Sequence, residues 1–117
     1  MLDKFEFKNI YIACGYTDLR LGIDGLATNL KIHFALNPYS EETIFLFCGR
    51  KTDRIKALVW EGDGFLLLYK RLENGKFVWP KNTSDLRQLS SLQLQRLLSG
   101  FSVDSSIKQI KAPKNTL

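Results

Sequence analysis

Apolar and polar positions change period along the chain, and each change marks an element. Residues 10–14, Ile-Tyr-Ile-Ala-Cys, form a compact apolar run closed by Gly15, as a strand does. Beyond it Leu19, Ile23, Leu26, Leu30 and Phe34 recur at helical spacing as one apolar stripe. Thr17 is placed as its N-cap, with Asp18 in the first turn. The spacing therefore predicts a long N-terminal helix, ended by Asn37-Pro38-Tyr39-Ser40. Gly22 and Gly25 lower its propensity by about 1 kcal/mol each, which points to close approach to a sheet.

Residues 43–48 are almost wholly apolar, as in a central strand covered on both faces. Residues 54–60 then alternate, with Ile55, Ala57 and Val59 on one side and Arg54, Lys56, Leu58 and Trp60 on the other. After the turn Glu61-Gly62-Asp63-Gly64, residues 65–73 form a further strand. Asn74-Gly75 is a strong hairpin signal, since a type I′ turn needs positive φ at both central residues. It predicts a return strand over residues 76–79, stopped by Pro80. In that register Leu66, Leu68, Leu72, Phe77 and Trp79 share one face.

The C-terminal part reads as a helix. Ser90 with Gln93 three residues on forms a capping box, and Leu89 can pack on Leu94 as a hydrophobic staple. Leu94, Leu97, Leu98 and Phe101 make its apolar face, and Gly100 ends it. The order of elements predicts an α+β fold: a mostly antiparallel β-sheet of about five strands, with a long N-terminal helix and a C-terminal helix packed on it. Residues 1–117 are expected to form a single domain. Its tail, 104–117, is polar and lysine-bearing and is expected to be flexible, or to add a short strand at residues 107–110.

Composition changes this picture in one place. The 117 residues carry 17 basic and 12 acidic side chains, a net charge of +5. Between Arg50 and Lys81 stand Arg50, Lys51, Arg54, Lys56, Lys70, Arg71, Lys76 and Lys81, against Asp53, Glu61, Asp63 and Glu73. Nearly all of the excess charge is in this third of the chain, interleaved with Trp60, Tyr69 and Trp79. Such a sheet can hold phosphates on its cations and stack bases on its rings. In the alternative, the aromatics are core and the lysines guard strand edges.

A second candidate is Gly15-Tyr16-Thr17-Asp18-Leu19-Arg20, where free N–H groups opening a helix can hold a phosphate, with Arg20 one turn in. In the structural alternative, Asp18 pairs with an arginine and locks the junction. Enzymatic signatures are poor. His33 is the only histidine, and no nucleophile–base arrangement assembles around it. Asp53, Glu61 and Asp63 are near enough in sequence to suggest a Mg²⁺ site, but Asp and Gly are also default turn formers. Cys14 and Cys48 have no CxxC partner and read as small buried hydrophobes in a reducing compartment. No cofactor or metal is expected. The N-terminus lacks a signal-peptide core, and no apolar run is long enough to span a bilayer, so a cytoplasmic location is expected.

Three blocks carry a family resemblance. Residues 10–27, IYIACGYTDLRLGIDGLA, contain Thr-Asp-x-Arg and Gly-Ile-Asp-Gly-Leu steps. Residues 43–80 contain Asp-Arg-Ile-Lys, Trp-x-Gly-x-Gly-Phe, Tyr-Lys-Arg-Leu and Phe-x-Trp-Pro, and residues 89–100 are the leucine-rich helix. The chain resembles the TnpB-type accessory proteins, encoded by the second open reading frame of bacterial insertion sequence 66 elements. It departs at Asn37, where an aspartate usually stands, and at Cys48-Gly49, where more polar residues do. The resemblance implies a protein encoded beside a larger transposase, contributing to transposition without supplying the strand-transfer chemistry. Arg50, Lys51, Arg54, Lys56, Lys70, Arg71, Lys76 and Trp79 are the candidate nucleic-acid contacts, with Trp79 or Tyr69 as the stacking ring. Thr17, Asp18 and Arg20 are motif positions without an assigned role. DNA, the transposase and other element-encoded proteins are the expected partners. The alternative is an interaction module that docks on those proteins; a nuclease dependent on acidic residues is the third possibility.

Overall fold

The computed structural model describes residues 6–81 and 85–104. The chain runs β1 (Asn9–Ala13), α1 (Ile23–His33), β2 (Thr43–Cys48), β3 (Arg54–Trp60), β4 (Phe65–Arg71), β5 (Leu86–Leu89) and α2 (Ser91–Leu98). The strands form one sheet in the order β4-β3-β2-β1-β5. Pairing is antiparallel except between β1 and β2, which run parallel with Ile10 opposite Ile44. The sheet is therefore mixed, and its two parallel strands are joined through α1, as parallel neighbours need a crossover.

Alternation along the strands divides the core into two layers. On one face Phe45, Phe47, Leu58 and Ala13 pack under Leu26, Ala27 and Leu30 of α1. On the other, Ile12, Leu46, Ala57 and Val59 pack with Leu94 and Leu97 of α2 and with Phe77, Trp79 and Val103. Every residue of β2 is buried, as expected of a strand covered on both sides.

The expected long N-terminal helix does not form. Helix α1 has 11 residues and starts at Ile23, with Gly22 as an N-cap that has no side-chain hydrogen bond. Thr17 does not cap it, because it lies well ahead of the Gly22 cap, in a segment whose Thr17 N–H donates to the Cys48 carbonyl at 2.8 Å. Asp18 closes its own turn instead, its carboxylate accepting from Arg20 N at 3.0 Å. Gly25 faces Leu21 rather than the sheet: a Cβ there would meet Leu21 Cδ2 at 2.8 Å. At its other end α1 closes through Leu36 N donating to Leu30 O at 3.0 Å, around Ala35 in left-handed backbone (φ 52°). Helix α2 is equally short, with 8 residues, but starts where expected. Its capping box is complete: Gln93 N donates to Ser90 Oγ at 3.1 Å and Ser90 N to Gln93 Oε1 at 2.9 Å. Phe101, expected on its apolar face, is exposed.

The hairpin at Asn74-Gly75 is the second correction. Gly75 has positive φ but Asn74 does not, so the turn is not type I′. Leu72 N donates to Asp53 O and Phe77 N to Thr52 O, each at 2.7 Å, which ties residues 72–77 to the β2–β3 loop. The following segment lies across the α2 face instead of extending the sheet. Leu66, Leu68, Leu72, Phe77 and Trp79 still gather in one core layer. The fifth strand is β5, whose sequence Leu-Arg-Gln-Leu carries little β signal. The strand expected at residues 107–110, like most of the tail, lies outside the described residues. No helix among the described residues is long and apolar enough to cross a membrane.

Candidate functional site

Parallel strands end on the same edge of a sheet, so the segments leaving β1 and β2 meet there. Residues 14–22 cross that edge. Gly15 N donates to Pro80 O at 2.8 Å, and Thr17 N to Cys48 O at 2.8 Å. Leu19 then lies against Gly49, where a Cβ would come within 3.3 Å of Leu19 Cδ1. A side chain at Gly49 would have to push the Leu19 side chain slightly aside, and glycine at the end of β2 leaves the contact undisturbed. From below, Lys56 Nζ donates to Leu21 O at 2.9 Å and pins the crossing segment to β3.

The result is an open groove of about 860 Å³. Arg20 comes from the crossing segment, Arg50 and Lys51 from the loop after β2, Arg54 and Lys56 from β3 and Tyr69 from β4; Tyr16 lines it too. The two sequence candidates, residues 15–20 and the basic block from Arg50, are thus one site. Arg71 stands opposite Arg54 in the β3–β4 register and so shares its face. Like charges directly opposite on neighbouring strands repel, and here carboxylates offset them. Arg54 Nε donates to Asp53 Oδ1 at 3.0 Å, and Arg71 Nη2 to Glu73 Oε2 at 3.4 Å.

Asp18 and Arg20 form a forked pair, with Arg20 Nη2 to Asp18 Oδ2 at 2.8 Å and Nε to Oδ1 at 3.0 Å. That guanidinium, with the Arg20 backbone N–H, holds the Asp18 carboxyl down at about 2. The Arg54 guanidinium likewise lowers Asp53. The groove has two exposed rings, each beside a cation. Tyr16 is 41% exposed with Arg50 over it at 5.5 Å, and Tyr69 is 50% exposed with Lys56 at 5.9 Å.

Three sequence candidates lie elsewhere. Trp79 is buried, and its Nε1 donates to Ala13 O at 2.9 Å, so its ring is core and presents no face for stacking. Lys70 pairs with Ile55 and lies on the other side of the sheet. Lys76 is exposed, in the segment tied to Thr52, and does not line the groove. Thr17 lines it but acts through its backbone. Asp53 and Glu61 flank opposite ends of β3, roughly 25 Å apart by strand rise, so Asp53 cannot share an ion with Glu61 and Asp63. Among the described residues no three His, Cys, Asp or Glu side chains gather as a metal site would need. Cys14 and Cys48 are buried and unpaired with each other; burial pushes the Cys48 thiol up to about 12. Tyr16 as a groove residue had no signal in the sequence, because the proximity of residues 15–20 to residues 50–56 depends on a long-range strand pairing.

The sequence has relatives among known proteins. The family described as IS66 Orf2 like protein matches residues 8–108. The chain is 37% identical over 101 residues to the uncharacterized protein y4hO of Sinorhizobium fredii (strain NBRC 101917 / NGR234), covering 86% of this chain and 87% of that protein. It is 31% identical over 101 residues to the uncharacterized protein y4jC of the same organism, covering 86% of each. No solved structure matches the chain.

Proposed function

Because the chain belongs to the IS66 Orf2-like family, associated with insertion sequences, we propose that it is a non-catalytic accessory factor of DNA transposition that grips nucleic acid in the basic groove. The observation that carries this is the convergence of Arg20, Arg50, Lys51, Arg54 and Lys56 on one recess beside two exposed tyrosines. The 117 residues act as one domain in the cytoplasm, beside the transposase. Cations so gathered lose little on meeting phosphates, because each contact releases a condensed counterion.

The test is a salt titration of binding to DNA carrying the element ends, both as duplex and strand-separated. Four phosphates held by Arg50, Lys51, Arg54 and Lys56 give a slope of log K against log salt of about −3.6 for the duplex, roughly a 100-fold loss between 50 and 200 mM, and about −2.8 for the separated strands. Arg50→Gln and Lys51→Gln should each flatten that slope by about 1. Binding to neither form, or binding indifferent to salt, sinks the proposal.

A second reading, docking on the transposase or another element-encoded protein, is favoured by a different feature. Tyr39, Trp60 and Phe65 form a three-ring cluster with centroids 4.9–5.2 Å apart, capped by Lys31 over Tyr39 at 5.3 Å. Half-exposed aromatic clusters are common anchors between proteins. Co-purification with the transposase that survives Arg50→Gln/Lys51→Gln but is lost in Tyr39→Ala would support this role.

A further inference from the structure

We infer that the groove takes an unpaired nucleic-acid strand in preference to a duplex, with Tyr69 and Tyr16 as platforms for successive bases; this rests on the nucleic-acid role proposed above. The first observation is shape. The cations line an open recess of about 860 Å³ walled by residues 16–20, the loop after β2 and strands β3 and β4. A duplex has its phosphates outermost and its bases stacked inside, so it is read by elements that protrude into its grooves. No helix lines this recess, and the β3–β4 hairpin contributes side chains from its strands (Arg54, Lys56, Leu67 and Tyr69) and not its protruding turn. A flexible single strand can enter it.

The second observation is the pairing of ring with cation. Tyr16 lies under Arg50 and Tyr69 beside Lys56, the same unit occurring twice within one groove. Two other rings among the described residues have a cation over them, but Tyr39 under Lys31 is already packed on Trp60 and Phe65, and Phe101 under Arg96 stands just beyond α2, outside the groove. Among the described residues, Tyr16 and Tyr69 have a cation and no second ring against them. A base that displaces the cation from a ring face brings its own phosphate within reach of that same cation, so each unit fits one nucleotide. Lys56 spends one of its three donors on Leu21 O and keeps two for such a phosphate. Stacking of this kind tolerates any sequence, since every base has a π-face.

The experiment is fluorescence anisotropy on the full chain with labelled dT12, rU12 and a 12-base-pair duplex, over one shared series of salt concentrations, with affinities compared at equal salt. The expected result is that a single strand binds at least tenfold more tightly than the duplex; the tighter of dT12 and rU12 assigns DNA or RNA as the source of the strand. Tyr69→Leu, which keeps an apolar side chain on β4, should weaken single-strand binding five- to tenfold or more without changing the salt slope, because a stacked base contributes about 1–3 kcal/mol. Tyr69→Phe should bind like the parent, and Lys70→Gln, on the other face, should change little. Duplex binding equal to or tighter than strand binding overturns the inference, as does a Tyr69→Leu variant with unchanged strand affinity. If those results come with a steep salt slope, the nucleic-acid role stands while the strand preference falls. If no probe binds, both fall.

Discussion

At Asp18 a single carboxylate closes the turn that carries Arg20 into the groove. It accepts from the Arg20 backbone and from both Nε and Nη2, which explains why a helix never starts at Thr17. The same bonds set a pH dependence. The folded carboxyl titrates at about 2 against an ordinary value of 3.8, so the unfolded chain takes up this proton first as pH falls. The stability contributed by the pair is thus fully present above the ordinary carboxylate range and is lost as pH drops from near 3.8 toward 2. Paired thermal melts of the parent and Asp18→Asn should show a constant gap from pH 8 to about 5, closing only below pH 4. A gap that closes near neutrality would mean that another group is responsible. The two thiols behave in the opposite way: burial raises both, and neither has an accessible thiolate with which to react.

Among the elements, strands β2, β3 and β4 and the start of α2 were legible in the sequence because their signals are local. Alternation fixed the faces of β3, and Ser90 with Gln93 fixed the cap of α2. Three elements were not legible, for different reasons. Helix α1 lost its first turn to the Asp18 turn and to Gly22. Residues 76–80 have strand-like alternation, with Phe77 and Trp79 buried and Val78 exposed, yet the Phe77 N–H reaches back to Thr52 in the β2–β3 loop. Strand β5 is four residues long and is a strand only because β1 offers it an edge. Trp79 is the anchor of the 76–80 segment. Trp79→Phe removes its bond to Ala13 O and should cost about 1–2 kcal/mol, whereas Trp79→Ala adds a cavity and should cost about 3–5 kcal/mol. Urea denaturation measures both. Near-equal losses would show that the hydrogen bond, not the ring, holds the segment.

For the molecule as a whole, the groove exists because β1 and β2 run the same way. The basic block from Arg50 and the Thr17-Asp18-Arg20 motif stand apart in the sequence, and an expectation of a mostly antiparallel sheet gives no reason to join them. Parallel pairing puts both at one edge, and it concentrates positive charge that the fold must tolerate when the groove is empty. A ligand that binds only the folded form should therefore be visible as added stability. At 100 times its Kd it contributes about 2.7 kcal/mol, or a rise of roughly 10 °C in Tm for a chain of this size. Scanning calorimetry with dT12 at that excess should show the rise in the parent and lose most of it in Arg50→Gln/Lys51→Gln, where the same concentration no longer saturates. An equal rise in both would place the binding surface outside the groove.

Strand β1 has one further consequence, for synthesis and folding. Ile10 pairs with Ile44 on one side and with Leu89 on the other, so one of the first strands made is completed by the last. During translation β1 can join β2 early and assemble the groove loops, but its other edge stays open until β5 leaves the ribosome. A chain stopped before Leu86 would expose that edge, along with core faces of Ile10 and Ile12 that α2 otherwise helps to cover, to any neighbouring copy. Folding of this protein is therefore completed from its C-terminal side, and truncations there should aggregate where equal losses from exposed loops do not.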